Sequence, residues 1–339
     1  MMRRGWSVLV GAILVAVLGW GLTALPVPYV ALGPGPTIDT LGRSDNGTDI
    51  ISVSGRRTSS SAGHLNLTTV SVSDQLDLGT AVRLWLGRDT AVVPRELIYP
   101  PGRTDQQVDE ANKQAFSESQ TSAETAALRE LGYPVQVVVA GLTENSPSAG
   151  TLRAGDLVTA VNGTAVTSRT NLVAQVSAVR PGNSLTVTYQ RAGAKGTAQI
   201  VAGKGNAGQA IIGVQVEQRQ PHPFTVGIQL DKIGGPSAGL MFALGIVDKL
   251  TPEDLTGGIY VAGTGEIDDD GRVGPIGGIQ QKLIAAKAVG AQVFLTPADN
   301  CGDAVPARPD GLRLVKVDSL DGALSALQQL RSGGNPPSC

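Results

Sequence analysis

The sequence predicts an α+β chain of more than one unit behind an N-terminal membrane span, and three observations carry that prediction. Trp6 to Leu25 is an uncharged run rich in Val, Leu, Ala and Gly, directly after Arg3 and Arg4. Short segments rich in β-branched residues recur at 65–72, 135–139, 185–189, 210–216, 225–230 and 312–317, the pattern of strands bounded by turns. Helical patterns alternate with them at 105–131, 237–250 and 319–330. The 339 residues include 44 glycines and only 4% aromatics, which suits close backbone approaches and many turns. A net charge of −2 gives no electrostatic footing for a nucleic-acid partner.

Taken in order, residues 1–5 read as a short cytoplasmic end and 6–25 as a single-pass signal anchor. About twenty apolar residues span a bilayer, and flanking arginines stay on the cytoplasmic side. The bulk of the chain is then extracytoplasmic, held at the cytoplasmic membrane. A cleaved signal peptide is the rival reading, but its apolar core is shorter. Pro26, Pro28, Pro34 and Pro36 make a stiff exit, and 26–63 reads as a polar linker with a mobile turn at Gly55–Gly63. His64 onward alternates as a strand. Helices follow over Leu76–Leu86 and Asp105–Leu131, the second ended by Gly132. No recognisable chemistry lies between 74 and 131.

Residues 133–202 read as a separate unit, with strands at 135–139 and 185–189 and a helix near 169–179. The run Leu152-Arg-Ala-Gly-Asp-Leu-Val-Thr-Ala-Val-Asn-Gly163 resembles the core of a PDZ domain. Such domains take an extended peptide as an added strand. The resemblance points to Leu131, Gly132 and Tyr133 as the nearest candidates for a peptide-gripping loop. A PDZ unit serving only as a rigid spacer is the competing reading.

The stretch Ile233-Gly-Gly-Pro-Ser-Ala-Gly-Leu-Met-Phe-Ala-Leu-Gly-Ile-Val-Asp-Lys-Leu250 carries the chemistry. Proline favours the first helical position, which puts Ser237 in a first turn whose N–H groups lack partners. Those donors suit a developing oxyanion, with Pro236 and Ala238 flanking the serine as support. The residues behind it are apolar on all faces, so the helix is buried. A serine that merely caps a helix is the competing explanation. The base is the deciding question. Only His64 and His222 are available, and His222 lies between two prolines in an extended loop. Lys282, among Ile279, Leu283, Ile284 and Ala286, is the better base, because burial lowers a lysine's pKa. Lys287, five positions on and about 140° round the helix, reads as a surface lysine.

Gly-Pro-Ser-Ala-Gly, then Thr-Gly-Glu-Ile, then Gly-Arg-Val-Gly-Pro-Ile-Gly-Gly-Ile-Gln-Gln-Lys-Leu-Ile-Ala-Ala resemble the proteolytic domain of the Lon family. The Val-Phe-Leu-Thr-Pro-Ala-Asp-Asn run at 293–300 agrees. The resemblance implies a Ser–Lys dyad of Ser237 and Lys282, with Thr264 beside it. It implies a Lon-type proteolytic domain over 203–332 and a homo-oligomer in the form of a hexameric ring. If the strand in 64–132 opens the same domain, the PDZ unit is inserted in it; units strung one after another are the alternative. Where many Lon proteins have Asp-Gly-Pro-Ser, this chain has Gly-Gly-Pro-Ser, leaving Asp231 as a weaker acidic neighbour. Residues 333–339 read as a frayed tail.

The function expected is ATP-independent serine endopeptidase activity on unfolded or flexible proteins, assisted by the PDZ unit. No P-loop pattern and no zinc pattern occurs, so no cofactor and no metal is expected. A non-catalytic PDZ scaffold is the alternative, as is a chain that processes only itself within 74–130. Cys301 and Cys339 leave one disulfide or two free thiols open.

Overall fold

The computed structural model describes residues 2–44, 46–87, 89–230 and 233–339, without the side chains at 2–5, 7, 8, 18 and 22. Helix α1 (Met2–Thr23) covers most of the expected membrane span. Among the described residues, however, no helix is long and apolar enough to cross a membrane, and within the expected span the side chains at 7, 8, 18 and 22 are not described.

The segment expected to be a linker is folded instead. It contains β1 (Tyr29–Asp39) and β2 (Ile51–Ser54), ahead of β3 (His64–Ser73). Pro34 and Pro36 fit inside β1 because its register against β3 shifts between Pro34 and Thr37. At such a bulge the missing N–H breaks no ladder bond. Helix α2 (Leu78–Trp85) starts at an Asp77 cap, whose carboxylate accepts from the Thr80 N–H. Strand β4 (Ala91–Pro94) pairs with β1. Helix α3 (Asp105–Glu130) opens with a Thr104–Gln107 capping box, in which each side chain satisfies an orphan N–H. Gly132 ends it at a φ of +84°.

A second unit follows. Its strands are β5 (Gln136–Leu142), β6 (Leu157–Val161), β7 (Thr164–Ala165), β8 (Ser184–Arg191), β9 (Ala194–Val201) and, after the short β10–β11 pair (Gly203–Lys204, Ala210–Ile211), β12 (Val214–Arg219). Helix α4 (Arg169–Ser177) lies between β7 and β8. The sheet order is β12-β5-β6-β8-β9, with β7 on β6. Its own core holds Val137, Leu152, Val158, Leu172, Leu185 and Ile200.

The chain then returns to the first unit through β13 (Thr225–Ile228), which pairs with β2. Next come α5 (Gly239–Leu250), β14 (Tyr260–Gly263), the β15–β16 hairpin (Glu266–Ile267, Val273–Gly274) and α6 (Ile279–Ala288). The last elements are β17 (Val293–Pro297), α7 (Cys301–Ala304), β18 (Arg313–Val317) and α8 (Leu320–Arg331). One sheet has the order β18-β17-β14-β3-β1-β4, with β3, β14, β17 and β18 parallel. Strands from both ends of the chain therefore share one sheet, and every strand of the second unit lies between them in sequence.

Alternation along the parallel strands divides the core. Leu65, Leu67, Val261, Val293, Leu295 and Val315 face α5, where Leu240, Met241 and Phe242 are wholly buried. Ala262, Phe294 and Leu314 face the other way, toward Ile279, Leu283 and Ala286 of α6. Helices α5 and α6 thus cover opposite faces.

The tail expected to fray is held in place. Cys301 and Cys339 form a disulfide with Cα atoms 5.1 Å apart, and the Lys316 N–H donates to the Pro337 carbonyl at 3.0 Å.

Candidate active site

Ser237 approaches from the α5 face of the sheet and Lys282 from the α6 face, and both line one cleft beside the carboxyl end of β14. Ser237 sits in a turn two residues before α5 rather than in its first turn. The helix cap is Ala238, with no side-chain cap hydrogen bond, so capping does not explain the serine. The turn is braced from two sides. From α3, the Asn112 carbonyl accepts the Gly235 N–H at 2.9 Å, and the Ser119 hydroxyl donates to the Pro236 carbonyl at 2.9 Å. From the end of β14, the Gly265 N–H and the Thr264 hydroxyl both donate to the Ser237 carbonyl at 2.9 Å.

Lys282 is 2% exposed, and its Nζ donates to Thr264 Oγ1 at 2.9 Å. Burial brings its pKa down from 10.5 to about 7, against the opposing pull of the Glu266 carboxylate. An ammonium loses its hydration on burial, so the neutral amine gains. Thr264 is fully buried and links the lysine amine to the serine's backbone. Lys287 is exposed on the same helix. Helix α6 starts at Gly278, whose φ is +68°. A Cβ there would lie 2.6 Å from Val70 Cγ2 of β3, so only glycine lets α6 approach the strand this closely.

The cleft has a volume of about 510 Å³ and is walled by Ser237, Lys282, Glu266, Thr68–Val72 of β3 and the loop at Ile276–Gly277. Strand β3 pairs with β14 only through Leu67, which leaves its later residues with an open edge on that side. Among the described residues the Ser237 and Ala238 N–H groups have no hydrogen-bond partner. Pro236 has no N–H, so its part in oxyanion support reduces to shaping the turn. Chemically, a hydroxyl, a neutral amine and free N–H donors around one cleft suit base-assisted attack on a carbonyl.

The other candidates lie elsewhere. The His222 Nδ1 is 2.6 Å from the Gln220 carbonyl, and the ring packs on Tyr133 and Phe224. Asp231 lies outside the described residues. Leu131 and Tyr133 pack against the core of the first unit, not in the second unit's apolar groove. That groove, of about 220 Å³, runs between α4 and β12 and is lined by Leu172, Val173, Val176, Ile212, Val214 and Val216. Sequence reading missed the groove, β3 as a cleft wall, and Asn112 and Ser119 as braces. A small polar residue on a buried helix face carries no mark that separates brace from filler.

The two units also touch each other at the tip of the β15–β16 hairpin. Thr167, just before α4, donates to Asp270 Oδ1 at 3.0 Å, an atom that also accepts from Arg129 of the first unit at 2.8 Å. Gln218 on β12 reaches Asp269 at 2.9 Å.

These features define a hydroxyl-and-amine site on a mixed α/β scaffold, and comparison with known proteins assigns both parts to families. Residues 231–329 match the Lon protease (S16) C-terminal proteolytic domain, and residues 107–201 match the PDZ domain family. The Lon protease of Koribacter versatilis is 32% identical over 127 residues, 36% of this chain and 15% of that protein. Lon protease 1 of Sorangium cellulosum is 40% identical over 101 residues, 29% of this chain and 12% of that protein. The chain thus spans a small fraction of these relatives' length. A PDZ domain structure from an SdrC-like protein of Listeria monocytogenes is 25% identical, covering 24% of this chain and 85% of that one, with a TM-score of 0.23. The chain carries a PDZ domain and a serine-peptidase domain of the Lon type.

Proposed function

We propose that this chain is a serine endopeptidase that cleaves unfolded or flexible protein segments without ATP. In this reading the Ser237 hydroxyl attacks the scissile carbonyl. The neutral Lys282 amine takes the hydroxyl proton and returns it to the leaving amine. The Ser237 and Ala238 N–H groups receive the oxyanion, and Thr264 keeps the amine aimed. One observation carries the reading: a buried lysine, held near neutrality and tied to Thr264, shares a cleft with a serine that caps nothing. An extended substrate fits the open edge of β3 as an added strand. The α4–β12 groove suits capture of a further segment of the same chain. Assembly into a ring and attachment to a membrane belong to the same proposal. For attachment, the support is the outer surface of α1, where Trp6, Leu9, Ile13, Val15 and Trp20 are exposed.

The test is cleavage of a reduced, alkylated unfolded protein in the absence of ATP. The native chain degrades it, and Ser237→Ala leaves it intact. Cleavage of its own chain alone would support self-processing, and equal degradation by both forms would remove Ser237 from the chemistry.

A further inference from the structure

Helix α2 is apolar on two faces, yet among the described residues protein covers only one. Its inner face, Ala81 with Leu84, packs with Ala31, Leu76 and Val92. Its outer face presents Leu78, Val82, Trp85 and the capping Leu86, which are 37%, 46%, 69% and 72% exposed. The spacing of four, three and one residues puts all four on one stripe. Such a stripe on a soluble surface marks a binding face.

The position of α2 says what covers it. The Leu78 N–H donates to the Leu25 carbonyl at 2.8 Å, and the Val27 N–H donates to the Leu76 carbonyl at 2.9 Å. A Cβ on Gly79 would lie 3.0 Å from Thr23 Cβ. The stripe therefore adjoins the end of α1, the helix whose own apolar side chains are exposed from Trp6 to Trp20. A surface that takes up α1 meets α2 next. Trp85 at the end of the stripe and the exposed Arg83 beside it are the side chains favoured at a bilayer's headgroup level.

We propose that α2 lies in the lipid headgroup region, its Leu78–Val82–Trp85–Leu86 stripe turned into the bilayer. This sets the first unit against the membrane at a second point. The inference rests on the attachment of α1 proposed above.

Trp85 is its own reporter. With Trp6→Phe and Trp20→Phe, it is the sole tryptophan of the full chain. This protein is mixed with phosphatidylcholine–phosphatidylglycerol vesicles carrying bromine at shallow or deep acyl positions, and sedimented with them. An interfacial helix sits about 5–10 Å into the headgroup–acyl boundary, so shallow bromine quenches Trp85 by roughly twofold or more and deep bromine less. Protection from aqueous iodide appears together with the quenching.

Sedimentation with the vesicles while Trp85 stays iodide-accessible and unquenched overturns the inference and leaves α1 attachment standing. Failure to sediment overturns both. Protection that grows with protein concentration, without quenching by lipid, assigns the stripe to a second copy of the chain and also overturns it. A Val82→Glu substitution in the same background, exposed and away from the cleft, abolishes quenching while cleavage of the unfolded protein is retained.

Discussion

Two of the clefts of this chain are lined with opposite chemistry. Around Ser237 the walls carry a buried amine, the Glu266 carboxylate and, among the described residues, backbone N–H groups without a partner. Between α4 and β12 they are mostly aliphatic, joined by Thr143, Ser177 and Gln209, beside a strand with one open edge. Preorganised charge and donors stabilise a transition state. An apolar groove along an edge strand can hold an extended chain but supplies nothing to break a bond. In the proposed function, chemistry and capture would therefore be built on separate sheets. The two units come within hydrogen-bond reach of each other at Asp269 and Asp270.

The most damaging change falls in the polar cleft. Lys282→Met removes the base and lowers peptidase turnover by about 10²–10⁴-fold at every pH. It also stabilises the fold. Between pH 7 and 10.5 the folded chain holds the amine neutral while the unfolded chain holds it charged. Folded stability therefore falls as pH drops through that window and levels off below it. Replacing the amine with an apolar side chain raises stability at pH 7 by on the order of 1–3 kcal/mol, read by urea titration. A variant both slower and less stable would make Lys282 a structural residue.

Thr264→Val comes next. It keeps the volume and removes the hydroxyl that joins the lysine amine to the serine turn. We expect turnover to fall about 10–100-fold with little change in KM, the size seen when a group that aims another is lost. Equal loss from Thr264→Ser, which keeps the hydroxyl, would mean the methyl packing mattered instead.

Asp270→Ala is the smallest effect and tests the join. It strands Arg129 and Thr167 at the tip, costing about 1–3 kcal/mol of the contact. Cleavage of long unfolded proteins should then weaken a few-fold while short peptides are cut as before. Equal loss on both substrates would place the damage in the catalytic cleft.

The polar cleft was largely legible because its parts lie in one continuous run. Ser237, Thr264 and Lys282 fall within 46 positions, between glycines and apolar residues that leave little choice of placement. The aliphatic groove was not. Its walls come from α4 and β12, apart in sequence, and an apolar residue beside a groove reads like one inside a core. Leu131–Tyr133 were singled out on a loop resemblance, yet α3 ends there against the first unit's core. Strand β1 was hidden by its prolines, which speak against a strand until a bulge excuses them. The held tail needed the partner positions of Cys301 and Pro337, which only the folded chain brings near.

One measurement bears most directly on the account: the pH dependence of kcat/KM on a short fluorogenic peptide, for the native chain and for Lys282→Arg. A neutral lysine acting as base predicts activity that rises with pH through about 7, where burial has set the amine, and then levels off. Arginine stays charged throughout, so Lys282→Arg should be silent across the same range. A native profile that rises only near the ordinary lysine value, or substantial turnover by Lys282→Arg, would contradict the assignment of Lys282 as the base.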